Sequence, residues 1–291
     1  MTNFYDSTDI PCFGVAGNFT GHLEQAGEAI DFKNIKTKEV NAPKAIFPTF
    51  IPIKNAGSEG DTSTEHVPAF LTKYPFDSQK IIFPKNEEKL QIEPECAVIF
   101  ATTWQGDSLT SLEPLSFGAS NDCSIRKQGA QKISEKKNWG PCSKGFSANQ
   151  IAADAFDTGC IFDDYRIASF LIRDKQVYAY GENSAVRDYS YIYKKLTDWI
   201  LEKFNSQKDE GPAENIHSYL IAAGRPEKIM VSIGATRYTQ WGEKNFLQNN
   251  DKALVVVYPE SKYSPEEIFN MAQTEDFSDP AISALVQTVV L

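Results

Sequence analysis

The apolar residues of this chain fall in strand-length runs scattered from end to end with few helical stretches between them, a distribution that argues against a doubly wound βαβ architecture. Period and composition predict strands over 93–101, 167–172, 177–180, 229–233 and 254–258. Three helices fit around them. From Ser190 to Asn205, residues Ile192, Leu196, Trp199, Ile200 and Phe204 recur at the spacing of one helix face. A second helix is expected to open at Pro212 and close near Gly224, and a third to run from Pro265 to Gln273. No internal repeat, low-complexity tract or Gly/Ser linker divides the 291 residues, and 54–65 and 206–211 read as loops. A single α+β domain over 1–291, dominated by mixed sheet, is expected.

Charge narrows the partners. Asp plus Glu outnumber Lys plus Arg by 39 to 29, and the net charge of −10 repels phosphate backbones and anionic lipid, so nucleic-acid and membrane partners are not expected. The longest apolar runs, such as Ala253 to Tyr258, fall far short of the roughly 20 residues that span a bilayer. Residues 1–12 carry Asp6 and Asp9 without a basic or apolar leader pattern. The five cysteines are widely spaced and form no CxxC, which suits a reducing cytoplasm.

Two features carry chemistry. In QIEPECAVIF (91–100) an extended strand points Glu93, Glu95, Ala97 and Ile99 to one side, so two carboxylates lead into an apolar face. Buried side by side they repel each other and lose hydration, and a divalent cation relieves both costs. Hard oxygen donors select Mg2+, Mn2+ or Ca2+ over zinc. The alternative is a solvent-exposed strand mouth, with Pro94 hinting at an edge. The second feature is a reversal of sign. Between Arg126 and Lys144 there are six basic residues against Glu135 alone, and Asp122 just ahead could supply a third oxygen ligand. A small anion held between a metal and this segment would use the reversal; a solvated loop kept soluble by its lysines would leave it without function.

Five segments in order resemble the fumarylacetoacetate hydrolase-like superfamily: Gly17-Asn18-Phe19-Thr20-Gly21-His22-Leu23-Glu24-Gln25, then Glu93 and Glu95 before Ala97-Val98-Ile99, then Asn121-Asp122-Cys123-Ser124-Ile125-Arg126, then Lys144-Gly145-Phe146, and last Gly234-Ala235-Thr236. The resemblance covers most of the chain and is closest to a bacterial branch of unassigned function. It implies that Glu93, Glu95 and Asp122 ligate one Mg2+ or Mn2+, and that Arg126 and Lys144 bind substrate carboxylate or enolate oxygens. Asn18 and Thr236 would join the substrate site. It also implies a mixed β-sandwich roll with a few peripheral helices, an N-terminal segment of about 1–50 contributing a lid-like element, and a homodimer.

One departure bears on the reaction. The superfamily's hydrolases activate water with a His paired to a Glu, whereas here position 25 is Gln and the nearby acid is Glu24. On a helix Glu24 lies about 200° from His22, and Glu28 is hardly better placed. His22 is the one credible acid/base histidine; His217 reads as exposed and His66 sits beside a loop. Cys123 reads as a packing residue. No G-x-S-x-G elbow, Walker A loop or G-x-G-x-x-G fingerprint occurs. The expectation is a cytoplasmic, metal-dependent enzyme acting on a small anionic 1,3-dicarbonyl or 2-oxo acid through a metal-stabilised enolate. C–C bond hydrolysis comes first, with His22, Glu24 and Lys144 as catalytic residues. Decarboxylation or tautomerisation on the same site, and a non-catalytic metal- and carboxylate-binding sensor, are the alternatives.

Overall fold

Side-chain alternation along the Pro94–Gln105 strand explains the layering of the molecule. Cys96, Val98 and Phe100 enter the main hydrophobic core, whereas Ala97 and Ile99 join a second cluster with Phe50, Phe76, Phe146 and Met230. A strand apolar on both faces is stable only when both faces are covered. The structure, a computed structural model, describes residues 8–33, 35, 37–53 and 67–291. The expected loop at 54–65 and His66 lie outside these residues, as do the first seven residues of the expected lid.

Pro94–Gln105 pairs antiparallel with Ser108–Asn121 on one side and Lys228–Ser232 on the other. Cys12–Ala16 runs parallel to Lys228–Ser232, and Ala45–Phe50 closes that edge. With Gly145–Phe146 and Ile151–Ala152 against Ser108–Asn121, the described residues form a seven-stranded mixed sheet. A five-stranded sheet in the order Gln176–Ala185, Tyr165–Arg173, Lys252–Pro259, Ser283–Val290 and Lys80–Ile82 lies against it through Ser108–Asn121. The chain is thus mostly sheet with few helices, as its apolar spacing predicts. Pro94 opens a strand that is interior from Ala97 to Ala101, although at Pro94 itself the ladder pairs only with Asn121, and the first residue of a strand is where proline is tolerated.

The helices follow their local signals. Tyr193–Ser206 buries Leu196, Trp199, Ile200 and Phe204. Ile216–Ala222 starts later than Pro212 because Asn215 caps it, its side chain accepting from the Ser218 N–H at 3.2 Å. Pro265–Thr274 carries a full capping box between Ser264 and Glu267. No described helix is long and apolar enough to cross a membrane.

Candidate metal centre

The backbone register assembles the acids. Glu93 and Glu95 flank the first residue of the Pro94–Gln105 strand, and Pro94 pairs with Asn121, so Asp122 emerges beside them. Asn121 locks the junction: its Oδ1 accepts from the Glu93 N–H at 3.2 Å and its Nδ2 donates to Gln287 Oε1 at 3.0 Å. Asn121 also pairs with Gly145, which brings Lys144 to Asp122. Glu93, Glu95 and Asp122 each present an oxygen within 4.8 Å of the others, and all three are buried.

Cations surround two of the three. Arg126 meets Glu93 Oε1 at 2.7 Å, and Lys137 meets Glu93 Oε2. Lys137 also lies 2.8 Å from Asp122 Oδ2, and Lys144 lies 3.0 Å from Asp122 Oδ1. Burial by itself would raise Glu93, but the Lys137 ammonium and Arg126 guanidinium outweigh it and hold the carboxyl well below its ordinary range. Glu95 makes no ion pair among the described residues, and its Oε2 accepts from the Gly234 N–H at 2.7 Å. Burial, together with the Asp122 and Glu93 charges, pushes its pKa well up. The donor set suits a hard divalent cation: three buried carboxylates converge, and one of them makes no ion pair among the described residues.

Gly234 holds Glu95 through its backbone. Its φ of +124° is strained for L side chains, and a Cβ there would stand 3.0 Å from Asn18 Cβ.

The basic segment is not a solvated loop. Arg126, Lys136, Lys137 and Lys144 are buried or nearly so, drawn in by the acids. Arg126 spends its donors on protein: Nε on Gln91 at 2.7 Å, Nη1 on Glu28 at 2.8 Å and Ser124 at 3.2 Å, and Nη2 on Tyr238 at 2.8 Å. With Glu93 included, each of these Arg126 contacts is to a protein group. Lys144 also donates to the Cys123 carbonyl, and burial pulls its pKa down. Cys123 is buried, with its thiol pushed up to about 12 chiefly by burial, in line with packing.

The N-terminal residues divide. His22 is buried beside the cluster, with Nδ1 2.8 Å from the Thr236 carbonyl. A carbonyl can only accept, so Nδ1 carries the proton and Nε2 keeps its lone pair. Burial lowers the His22 pKa, which keeps the ring neutral near pH 7. Glu24 is exposed, whereas Glu28, set aside on helical geometry, is buried and pairs with Arg126 and Lys136, both at 2.8 Å. The His22–Gln25 helix lasts one turn and the chain then folds back, so helical spacing is the wrong ruler for residue 28. Gln25 donates to the Tyr238 carbonyl at 3.1 Å and accepts from the Tyr238 N–H at 2.8 Å, a pairing a carboxylate could not make. Asn18, expected on substrate, commits its amide to Tyr191 and Ile233 backbone groups at 2.8–2.9 Å. Thr236 is buried, and its hydroxyl has no hydrogen-bond partner among the described residues. His217 is half-buried, 2.9 Å from the Asp107 carbonyl.

Sequence reasoning missed Glu28, Tyr238 and the inward turn of Lys136 and Lys137; the signal for the lysines was the charge reversal itself. A cavity of about 20 Å³ touches His22, Glu28, Glu93, Glu95 and Lys137, room for about one water. A larger groove of about 730 Å³, lined by residues such as Lys44, Lys203 and Lys208, touches none of the three acids.

Residues 28–289 match a family described as a family of unknown function, DUF5718. No curated protein matches the sequence. Among solved structures, Cg1458 with an inhibitor superposes with a TM-score of 0.55 at 13% identity, over 96% of this chain and 76% of the other. 2-Keto-3-deoxy-D-arabinonate dehydratase complexed with magnesium and 2,5-dioxopentanoate gives 0.53 at 12% identity, over 96% and 72%. The chain belongs to the DUF5718 family and has the fold of the fumarylacetoacetate hydrolase-like superfamily that its five motifs resemble.

Proposed function

We propose that this protein is a divalent-metal-dependent enzyme acting on a small anionic 2-oxo acid or 1,3-dicarbonyl, with Glu93, Glu95 and Asp122 holding Mg2+ or Mn2+. The observation that carries the reading is the convergence of three buried carboxylates of which Glu95 makes no ion pair among the described residues. A fold neighbour complexed with magnesium and 2,5-dioxopentanoate, itself a 2-oxo acid, supports the ligand class. When bound, the ion would supply Lewis-acid polarisation of the substrate's oxygens. The residues do the rest. Lys144, beside Asp122, supplies fixed positive charge where negative charge develops on the substrate. Arg126 holds Glu93 in place rather than reaching substrate, and neutral His22 offers Nε2 as a proton acceptor.

Among the open reactions, decarboxylation or tautomerisation fits these residues better than C–C bond hydrolysis. Among the described residues no carboxylate pairs with the His22 ring to strengthen it as a water-activating base, and Gln25 is committed to Tyr238. The same reading takes the wall formed by Gly17, His22 and Leu23 as the lid, because the cavity behind it is too small for an organic acid until that wall moves. It also carries the sandwich-roll, homodimer and cytoplasmic expectations.

Calorimetric titration of EDTA-stripped protein with Mn2+, with and without oxalate as an enolate mimic, tests the centre. One-site binding that oxalate strengthens and Asp122→Asn abolishes is expected; no binding under either condition refutes the reading. Turnover of oxaloacetate or an acylpyruvate, lost in Lys144→Ala, separates an enzyme from a binding protein.

A further inference from the structure

Lys137 lies outside every motif that points to the metal centre, yet its ammonium occupies the middle of it. Its side chain is 3% exposed, as are those of its partners to within a few per cent. Both flanks are fixed: the Lys137 N–H donates to the Ser134 carbonyl at 3.0 Å, and the Asn138 amide donates to Thr49 at 2.8 Å and Lys73 at 3.1 Å. The ammonium also lies 5.1 Å from the centre of the Phe47 ring.

All four oxygens of Glu93 and Asp122 meet a cation. Arg126 takes one oxygen of Glu93, Lys144 takes one of Asp122, and Lys137 takes the remaining oxygen of each. A divalent ion binding both carboxylates must therefore share or displace existing cations. Moving Arg126 or Lys144 frees an oxygen of one carboxylate; moving Lys137 alone frees an oxygen of each. Its hold on Asp122 Oδ2 is the looser one, at ion-pair distance without an aligned hydrogen bond. Among the buried side chains Glu28, Glu93, Glu95 and Asp122, when ionised, balance Arg126, Lys136, Lys137 and Lys144, and the part-exposed Asp31 is a second partner of Lys136 at 3.2 Å, so a divalent ion entering the buried cluster leaves an excess of one to two positive charges.

We propose, on the metal reading above, that Lys137 is an internal counter-ion which the divalent cation displaces from Glu93 and Asp122, and that the charge added makes the loaded centre select a dianionic ligand. The protein without metal keeps its acids neutralised by its own lysine. Metal and dianion then bind together, each weakly without the other.

The experiment compares Mn2+ binding by wild type, Lys137→Met and Lys137→Arg, each stripped with EDTA and titrated with and without oxalate. Lys137→Met is expected to bind Mn2+ alone at least about tenfold more tightly than wild type and to gain less from oxalate. Lys137→Arg keeps the charge and is expected to stay within about threefold of wild type. Thermal melting in EDTA and in Mn2+ covers the case in which the Met variant folds poorly without metal: a larger Mn2+-induced rise than in wild type supports the proposal. Unchanged or weaker Mn2+ affinity and no larger rise in Lys137→Met, or an equal gain in Lys137→Arg, overturns it while the metal reading stands. Failure of all three proteins to bind Mn2+ in either condition overturns the metal reading and this proposal with it.

Discussion

Replacing Glu214 with Gln isolates the ionisation of one buried carboxyl that anchors the turn bearing Lys136 and Lys137. Glu214 is 1% exposed and accepts from the Ser134 hydroxyl at 2.9 Å. Burial raises its pKa from 4.5 to about 7. Since the folded-state value is the higher one, the folded protein binds more protons than the unfolded chain between those two pH values. Stability therefore falls as pH rises through that window and levels off above it. At about 1.4 kcal/mol per pH unit of displacement, the full loss is about 3 kcal/mol. Gln keeps the shape and never ionises. Urea unfolding of the two proteins at several pH values measures the difference, and carboxylates common to both cancel. The Glu214→Gln variant should gain under about 1 kcal/mol at pH 5 and about 3 kcal/mol at pH 8. A difference that does not change between those pH values, or a wild type more stable at pH 8, refutes the reasoning.

Two other substitutions test the scaffold of the site. Gly234→Ala forces a side chain into a φ of +124° with its Cβ 3.0 Å from Asn18 Cβ; urea unfolding should register a loss of about 1–3 kcal/mol, and a loss under about 0.5 kcal/mol would contradict the strain argument. Gln25→Glu replaces the amide that donates to the Tyr238 carbonyl at 3.1 Å and should cost about 1–3 kcal/mol. Because the Thr236 carbonyl holds His22 Nδ1, the new acid should bring no hydrolytic cleavage of an acylpyruvate, and a gain in that activity would overturn the account of His22.

Much of the architecture was legible along the chain because it depends on short-range periodicity. The alternation from Glu93 to Ile99 foretold a strand with its acids on one side, and the Leu196, Trp199, Ile200 and Phe204 stripe foretold a helix. The Cys12–Ala16 and Ala45–Phe50 strands carried no comparable signal. Each is buried along its whole length, so polar residues do not alternate with apolar ones. Helix ends were displaced where a cap outweighed a proline, as at Asn215.

The candidate centre divides in the same way. Strand period put Glu93 and Glu95 on one side, and the family resemblance, not local geometry, implied Asp122 as their companion. Which charges neutralise these acids was decided by tertiary structure. Lys137 stands 44 residues from Glu93, and Glu28 stands 98 from Arg126. A run of lysines in sequence carries no mark of whether water or a carboxylate will solvate it. Only packing that removes water makes pairing obligatory, and only the folded chain determines which carboxylate is left without a cation.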